Sequence, residues 1–134
     1  MPAETVVWFN PSCSKCRLAA GALGEAGASF VVRRYLDDPP SVDELSAVLD
    51  RLGLEPWDIT RTGDAAGLGV SLDTLPRERA AWLRVLAEHP ALIQRPIVLT
   101  ADGSAWVARD PAAVAAAAAT ARGRGGAVGA VGAG

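Results

Sequence analysis

Apolar residues along this chain alternate between two periods, and the changes of period outline its elements. Thr5 to Phe9 (TVVWF) is a short β-branched and aromatic run, which predicts a buried strand. Asn10-Pro11-Ser12 breaks it. From Ser14 the apolar positions Leu18, Ala19, Ala22, Leu23 and Ala26 repeat as one face of a helix, with Gly27 as its stop. Ser29 to Leu36 (SFVVRRYL) predicts a second strand. After a loop at Asp37 to Pro40, Ser41 opens a helix and Glu44 completes a capping box. Val42, Leu45, Val48, Leu49 and Leu52 give that helix its apolar face, and Gly53 ends it. Pro56 starts a short helical turn, and Gly63, Gly67 and Gly69 punctuate the connection that follows. A helix is expected from about Leu75 to Glu88, with Leu75, Trp82, Leu83 and Leu86 inward. Ile97 to Thr100 and Ser104 to Ala108 then read as a hairpin across Ala101-Asp102-Gly103. Asp110 caps a last helix that starts at Pro111 and runs to about Ala121.

The order is β-α-β, a helical middle, then β-β-α. This predicts an α/β class and a thioredoxin-like fold around one mixed sheet, with a helical insertion between the halves. One domain is expected over residues 1–121, its insertion at about 41–90, followed by a disordered low-complexity tail at 122–134 (RGRGGAVGAVGAG). Trp8, Trp57, Trp82 and Trp106 fall on core or half-buried faces.

Composition narrows the function classes. Half of the 134 residues are hydrophobic and 21% are charged, an ordinary globular balance. The net charge of −2 gives no general attraction to nucleic acid or to acidic membranes. No apolar run approaches the ~20 residues that span a bilayer. The segment MPAETVVWF lacks the basic-then-apolar pattern of a secretory leader. A reducing cytoplasm is therefore the expected location, and there a close cysteine pair is catalytic, redox-sensing or metal-binding rather than a staple.

The two cysteines lie in NPSCSKCR, three residues apart at the first strand-to-helix junction. A tetrahedral zinc site wants four ligands, and His89 is the single histidine, so no metal is expected. Haem attachment would need histidine where Arg17 stands. Two inert buried thiols remain one reading. The reactive reading rests on position: Cys13 falls at a helix start, where unpaired N–H groups and the dipole favour an anion. Lys15 and Arg17 add positive charge, which lowers a thiol's pKa. Cys16, one turn on, lies where a resolving thiol would sit. Arg33 and Arg34 are adjacent on the second strand and point to opposite faces.

Five ordered blocks carry a resemblance that covers Val6 to Val114. They are NPSC-x-x-x-R at Asn10 to Arg17, YLDDPPSVDEL at Tyr35 to Leu45, ITRT at Ile59 to Thr62, EHPALIQRPIVLT at Glu88 to Thr100, and ARDPAAV at Ala108 to Val114. In these the chain resembles the glutaredoxin-linked arsenate reductases (ArsC-type) and their relatives, the Spx-type redox regulators of RNA polymerase. The resemblance implies a thioredoxin fold with an inserted helical region. It implies that Cys13 attacks arsenate and that Arg17, Arg61, Arg95 and Arg109 hold the oxyanion. Pro96 maps to the family's cis-proline. Arginine forks suit a tetrahedral oxyanion because they offer several directed, permanently charged donors.

The implied cycle releases arsenite after reduction by an external thiol: glutathione with glutaredoxin, thioredoxin, or another low-molecular-weight thiol. No bound cofactor is expected. The chain departs from the enzyme pattern at Cys16, commonly a non-cysteine there, and at Phe9, often histidine in the family. A Cys-x-x-Cys loop belongs to the Spx type, so the alternative is a Cys13–Cys16 disulfide switch acting on RNA polymerase. It could equally let Cys16 resolve the adduct internally. Arg109 favours the enzyme, since Spx-type regulators generally lack arginine in that block. His89, in the shared His-Pro, reads as a helix-end residue. Outside the resemblance, Arg109 could simply pair with Asp110 and Arg61 could be a surface residue.

Overall fold

The computed structural model describes residues 4–125. They form two compact units, one reaching Arg34 and resuming at Arg95, the other Tyr35–Gln94.

The first unit holds a sheet of four short strands: β1 (Val6–Trp8), β2 (Val31–Arg33), β3 (Ile97–Leu99) and β4 (Ala105–Val107). Their order is β2-β1-β3-β4. β1 and β2 run parallel, while β1/β3 and β3/β4 are antiparallel. This is the mixed thioredoxin-like sheet that the element order predicts. Alternation along the strands divides the register pairs between faces, with Val7 opposite Val98 and Trp8 opposite Ile97. Val7 and Val98 join Ala19 and Leu23 of α1 (Ser14–Glu25) and Ala117, Ala118 and Ala121 of α4 (Pro111–Gly125) in one core. The alanines keep the α1–α4 contact close. β2 is an edge strand with Val31 and Val32 exposed.

The local signals act as chemistry dictates. The hairpin turns through Gly103 at φ 97°, a left-handed conformation open to glycine. Asp102 locks it by accepting from the Thr100 hydroxyl at 2.7 Å and the Ser104 amide at 3.0 Å. Asp110 caps α4 by accepting from the Ala113 amide at 2.7 Å.

In the second unit, α2 (Val42–Leu52) starts with the reciprocal Ser41–Glu44 box and ends at Gly53 with φ 70°. α3 (Arg79–Glu88) follows three short 3-10 turns, and a fourth, Pro90–Leu92, leads out. Leu45, Leu49, Ile59, Leu86, Leu92 and Ile93 are fully buried and form this unit's own interior. The Arg79 guanidinium binds Asp50 at 2.8 Å, Glu55 at 3.2 Å and the Ser46 carbonyl at 3.0 Å, tying α3 to α2.

Four expectations are corrected. The strands are three residues each, shorter than the apolar runs that announce them. α3 begins at Arg79 rather than Leu75, because Pro76 disfavours helix at the residue before it and its carbonyl accepts from the Trp82 indole at 2.9 Å. Leu18 is 66% exposed although its spacing places it with the inward residues of α1. α4 continues to Gly125, four residues beyond Ala121, so the expected disordered tail does not begin at residue 122. Its remainder, 126–134, lies outside the described residues.

Candidate active site

The chain leaves β1 at Trp8 and must reverse into α1 within five residues. Asn10 makes this possible. Its carbonyl accepts from the Cys13 amide at 2.9 Å, and its side-chain oxygen accepts from the Ser12 amide at 2.9 Å. Asparagine folding back onto the backbone two residues ahead is a local turn device. The Asn10 amide in turn donates to the Cys16 sulfur at 3.5 Å. One residue therefore fixes the loop from three sides, and its role was hidden in the sequence inside a motif read for its cysteine.

Cys13 is the N-cap of α1. Its neighbours decide its chemistry. The amides of Lys15 and Cys16 face its sulfur. Neither closes a cap hydrogen bond on the neutral thiol, yet both favour a negative sulfur. Partial burial pushes the Cys13 thiol up, but it is outweighed. The Cys16 amide, a hydrogen bond from the Arg95 guanidinium, one from the Cys16 thiol and the Lys15 amide together hold its pKa below the ordinary thiol value.

Cys16 is the opposite case three residues on. It is fully buried, and that burial pushes its thiol up to about 11. The Asn10 amide works against the shift, while the hydrogen bond and charge of Cys13 add to it. The pair is thus one thiolate-prone sulfur and one sulfur that keeps its proton. Both are free thiols.

The arginines divide by unit. Arg95, immediately before the cis bond to Pro96, reaches Cys13. Arg109 donates to the Arg95 carbonyl at 2.6 Å, so its guanidinium lies one link further out and is not paired with Asp110. Arg17 donates to the Pro11 carbonyl at 2.7 Å and so straps the Cys13 loop. Arg61 belongs to the other unit, where its Nε is 2.7 Å from Asp64. The first unit accordingly brings together Cys13, Cys16, Arg95, Arg109 and Arg17, whereas Arg61 stands in an ion pair of its own. Bonds to neutral carbonyls leave the charge of Arg17 and Arg109 uncompensated, which suits an anion rather than a structural acid. His89 caps the end of α3. Among the described residues no group of three or more His, Cys, Asp or Glu could hold a metal ion, and no helix is long and apolar enough to cross a membrane.

Comparison with known proteins bears on this arrangement. The model of the ArsC family matches residues 8–117. An uncharacterised protein from the glnII region of Streptomyces viridochromogenes is 53% identical over 81% of this chain and 93% of its own length. An arsenate reductase of Neisseria meningitidis is 41% identical over 79% of this chain and 91% of its own. The global transcriptional regulator Spx of Bacillus subtilis is 32% identical over 69% and 71%. Among solved structures, a putative arsenate reductase from Yersinia pestis superposes with a TM-score of 0.74 at 34% identity, covering 81% of this chain and 95% of that one.

Proposed function

The chain belongs to the ArsC family, and from that premise we propose that it is a thiol-dependent reductase whose substrate is arsenate and whose nucleophile is Cys13. The observation that carries the reading is the electrostatics of Cys13: a half-exposed sulfur whose pKa is held down by helix amides and by Arg95. A nucleophile of this kind needs a populated thiolate, and its oxyanion substrate needs fixed positive charge close by. Arg95 supplies both. Arg109 and Arg17, bonded to carbonyls, add charge around the same loop. Arg61, which the resemblance also assigns to the oxyanion, is held by Asp64 in the helical unit.

In the first step the Cys13 thiolate attacks arsenic and water leaves, giving a sulfur–arsenic(V) bond. A second thiolate then attacks the Cys13 sulfur. A disulfide forms, the sulfur–arsenic bond breaks, and its electron pair stays on arsenic, which departs as arsenite. Each sulfur is oxidised by one electron and arsenic gains two.

In the resting protein Cys16 keeps its proton at neutral pH, because burial and the neighbouring Cys13 hold its pKa up at about 11. Its contribution is the S–H hydrogen bond that helps keep Cys13 ionised. The second thiol comes from outside, as glutathione, glutaredoxin or thioredoxin, in the cytoplasm. The test is arsenite formation by purified protein with each donor. Cys13→Ser should remove turnover by at least ~10³-fold, while Cys16→Ser should retain it in part. Absence of arsenite with every donor, from protein whose Cys13 still alkylates readily, would sink the assignment.

A second reading, an Spx-type switch acting on RNA polymerase, is supported by the hydrogen bond between the two thiols and by the likeness to Spx. It requires Cys13 and Cys16 to form a reversible disulfide, and mass spectrometry of the oxidised protein checks that directly.

A further inference from the structure

The sheet of the first unit ends on two strands with different surroundings. At one edge, β4 keeps Ala105, Trp106 and Val107 half-buried. At the other, β2 leaves Val31 41% and Val32 46% exposed. Adjacent strand residues point to opposite faces, so no layer packed on one face would cover both valines. A strand laid alongside β2 flanks both.

The backbone points to the same place. The Val31 amide donates to the Thr5 carbonyl at 2.9 Å, and the Arg33 carbonyl accepts from the Phe9 amide at 2.8 Å. Val31 and Arg33 thus turn their polar groups toward β1, and alternation turns those of Val32 away from it. The same alternation carries Phe30 and Arg34 to the outward side. The outward positions are therefore symmetric about Val32, and one such edge complements another.

The arginines select the direction. Parallel self-pairing would bring the two Arg33-Arg34 ends together, which like charge opposes. Antiparallel pairing about a two-fold axis through Val32 sets Val32 against Val32, Val31 against Arg33 and Phe30 against Arg34. No like charges meet. Val32 and its copy then exchange both N–H···O bonds, as do Phe30 and Arg34 on either side. Arginine beside an aromatic ring is a favourable neighbour, and Arg33 already lies 5.6 Å from the ring centre of Trp8.

We propose that β2 is a homodimerisation edge, at which two copies of this chain pair antiparallel about Val32 and join their sheets into one. Because β1 runs parallel to β2, the Cys13 loops of the two copies lie at opposite ends of the shared strands, and neither covers the other. The paired segment is about 17 Å long, a small contact, so the dimer is weak, with a Kd on the order of 100 μM.

The test is sedimentation equilibrium of the full chain, with its thiols kept reduced so that no intermolecular disulfide contributes. Over about ten-fold either side of that Kd, it should show reversible association of monomer to dimer. Val32→Pro removes the outward amide, a change that an edge strand tolerates. Val32→Lys sets two ammonium groups against each other at the axis. Each should weaken association by about ten-fold or more, with circular dichroism and Cys13 alkylation showing the variant folded. Hydrogen exchange of the unaltered protein tells this edge from any other contact. The Val32 amide should slow as concentration rises, while that of Val31, bonded to Thr5, should change far less. A protein that stays monomeric overturns the proposal, as does a dimer that both variants leave intact. Protection of Val32 that does not depend on concentration overturns it too, since the edge is then covered from within one chain.

Discussion

In the helical unit three arginines are committed to acids and aromatic rings. Arg79 bridges Asp50 and Glu55, Arg61 holds Asp64, and Arg77 lies 5.1 Å from the ring centre of Trp57 and 5.8 Å from that of Trp82. In the sheet unit, the bonds of Arg17 and Arg109 go to the carbonyls of Pro11 and Arg95, and the Arg95 guanidinium goes to Cys13. The residue type is the same and the consequence differs. A carboxylate cancels a guanidinium's charge, while a carbonyl orients it and leaves it available. In the proposed reading the charge of Arg17, Arg95 and Arg109 serves an incoming anion, while that of Arg61, Arg77 and Arg79 is spent within the helical unit.

The most damaging way to test that division is Arg95→Ala. Losing a charged donor from a nucleophile and its oxyanion should lower arsenate turnover by about 100-fold, equivalent to ~2.7 kcal/mol. The pH midpoint for alkylation of Cys13 should rise at the same time, because a lowering influence on its pKa is gone. Turnover lost with the midpoint unmoved would place Arg95 on the substrate alone. If neither moved, the distinction between the two sets of arginines would fail.

Much of the frame of both units was legible because it depends on short-range rules. The Ser41–Glu44 box, Gly53, the Asp102-Gly103 turn and the Asp110 cap each act within five residues, and each is found where the sequence places it. Long-range packing was not legible. Leu18 has inward spacing, yet it stands on the open side of the α1–α4 groove. The approach of Arg77 to Trp57 joins residues about twenty positions apart, where periodicity is silent. At the site, the resemblance supplied Cys13 and the arginines, but nothing in Cys-x-x-Cys says that one sulfur is half-exposed and the other sealed. That asymmetry follows their places on α1, with Cys13 at its N-cap and Cys16 among its buried residues. The sharing of Arg61 with Asp64 was readable in principle, since the two stand three residues apart.

The cysteine asymmetry predicts an effect on stability with two limbs. Cys13 has a lowered pKa in the folded state, so below the ordinary value of 9.0 the unfolded chain binds more protons and stability grows as pH rises toward it. Cys16 has its pKa raised to about 11, so the folded state keeps a proton that the unfolded chain releases above 9.0. Its contribution is complete below that pH and is lost as pH climbs through about 11. The loss amounts to about 2–3 kcal/mol at the upper end. Urea unfolding from about pH 8 upward, compared with Cys16→Ser, isolates it, since serine does not titrate in this range. Parallel alkaline limbs in the two proteins would mean that Cys16 is not sealed from water.

Arg79→Ala is the smallest change and the sharpest control. Its partners Asp50 and Glu55 are 73% and 47% exposed, so solvent screens both pairs and the stability lost should be only about 1 kcal/mol. Denaturant unfolding would register that loss, whereas alkylation of Cys13 should proceed at the wild-type rate, because nothing in the Arg79 cluster bears on the sulfur's ionisation. If Arg79→Ala instead slowed alkylation as much as Arg95→Ala does, the charge of the helical unit would have to be acting on Cys13. The arginines would then have to be treated as one field rather than as two sets with separate tasks.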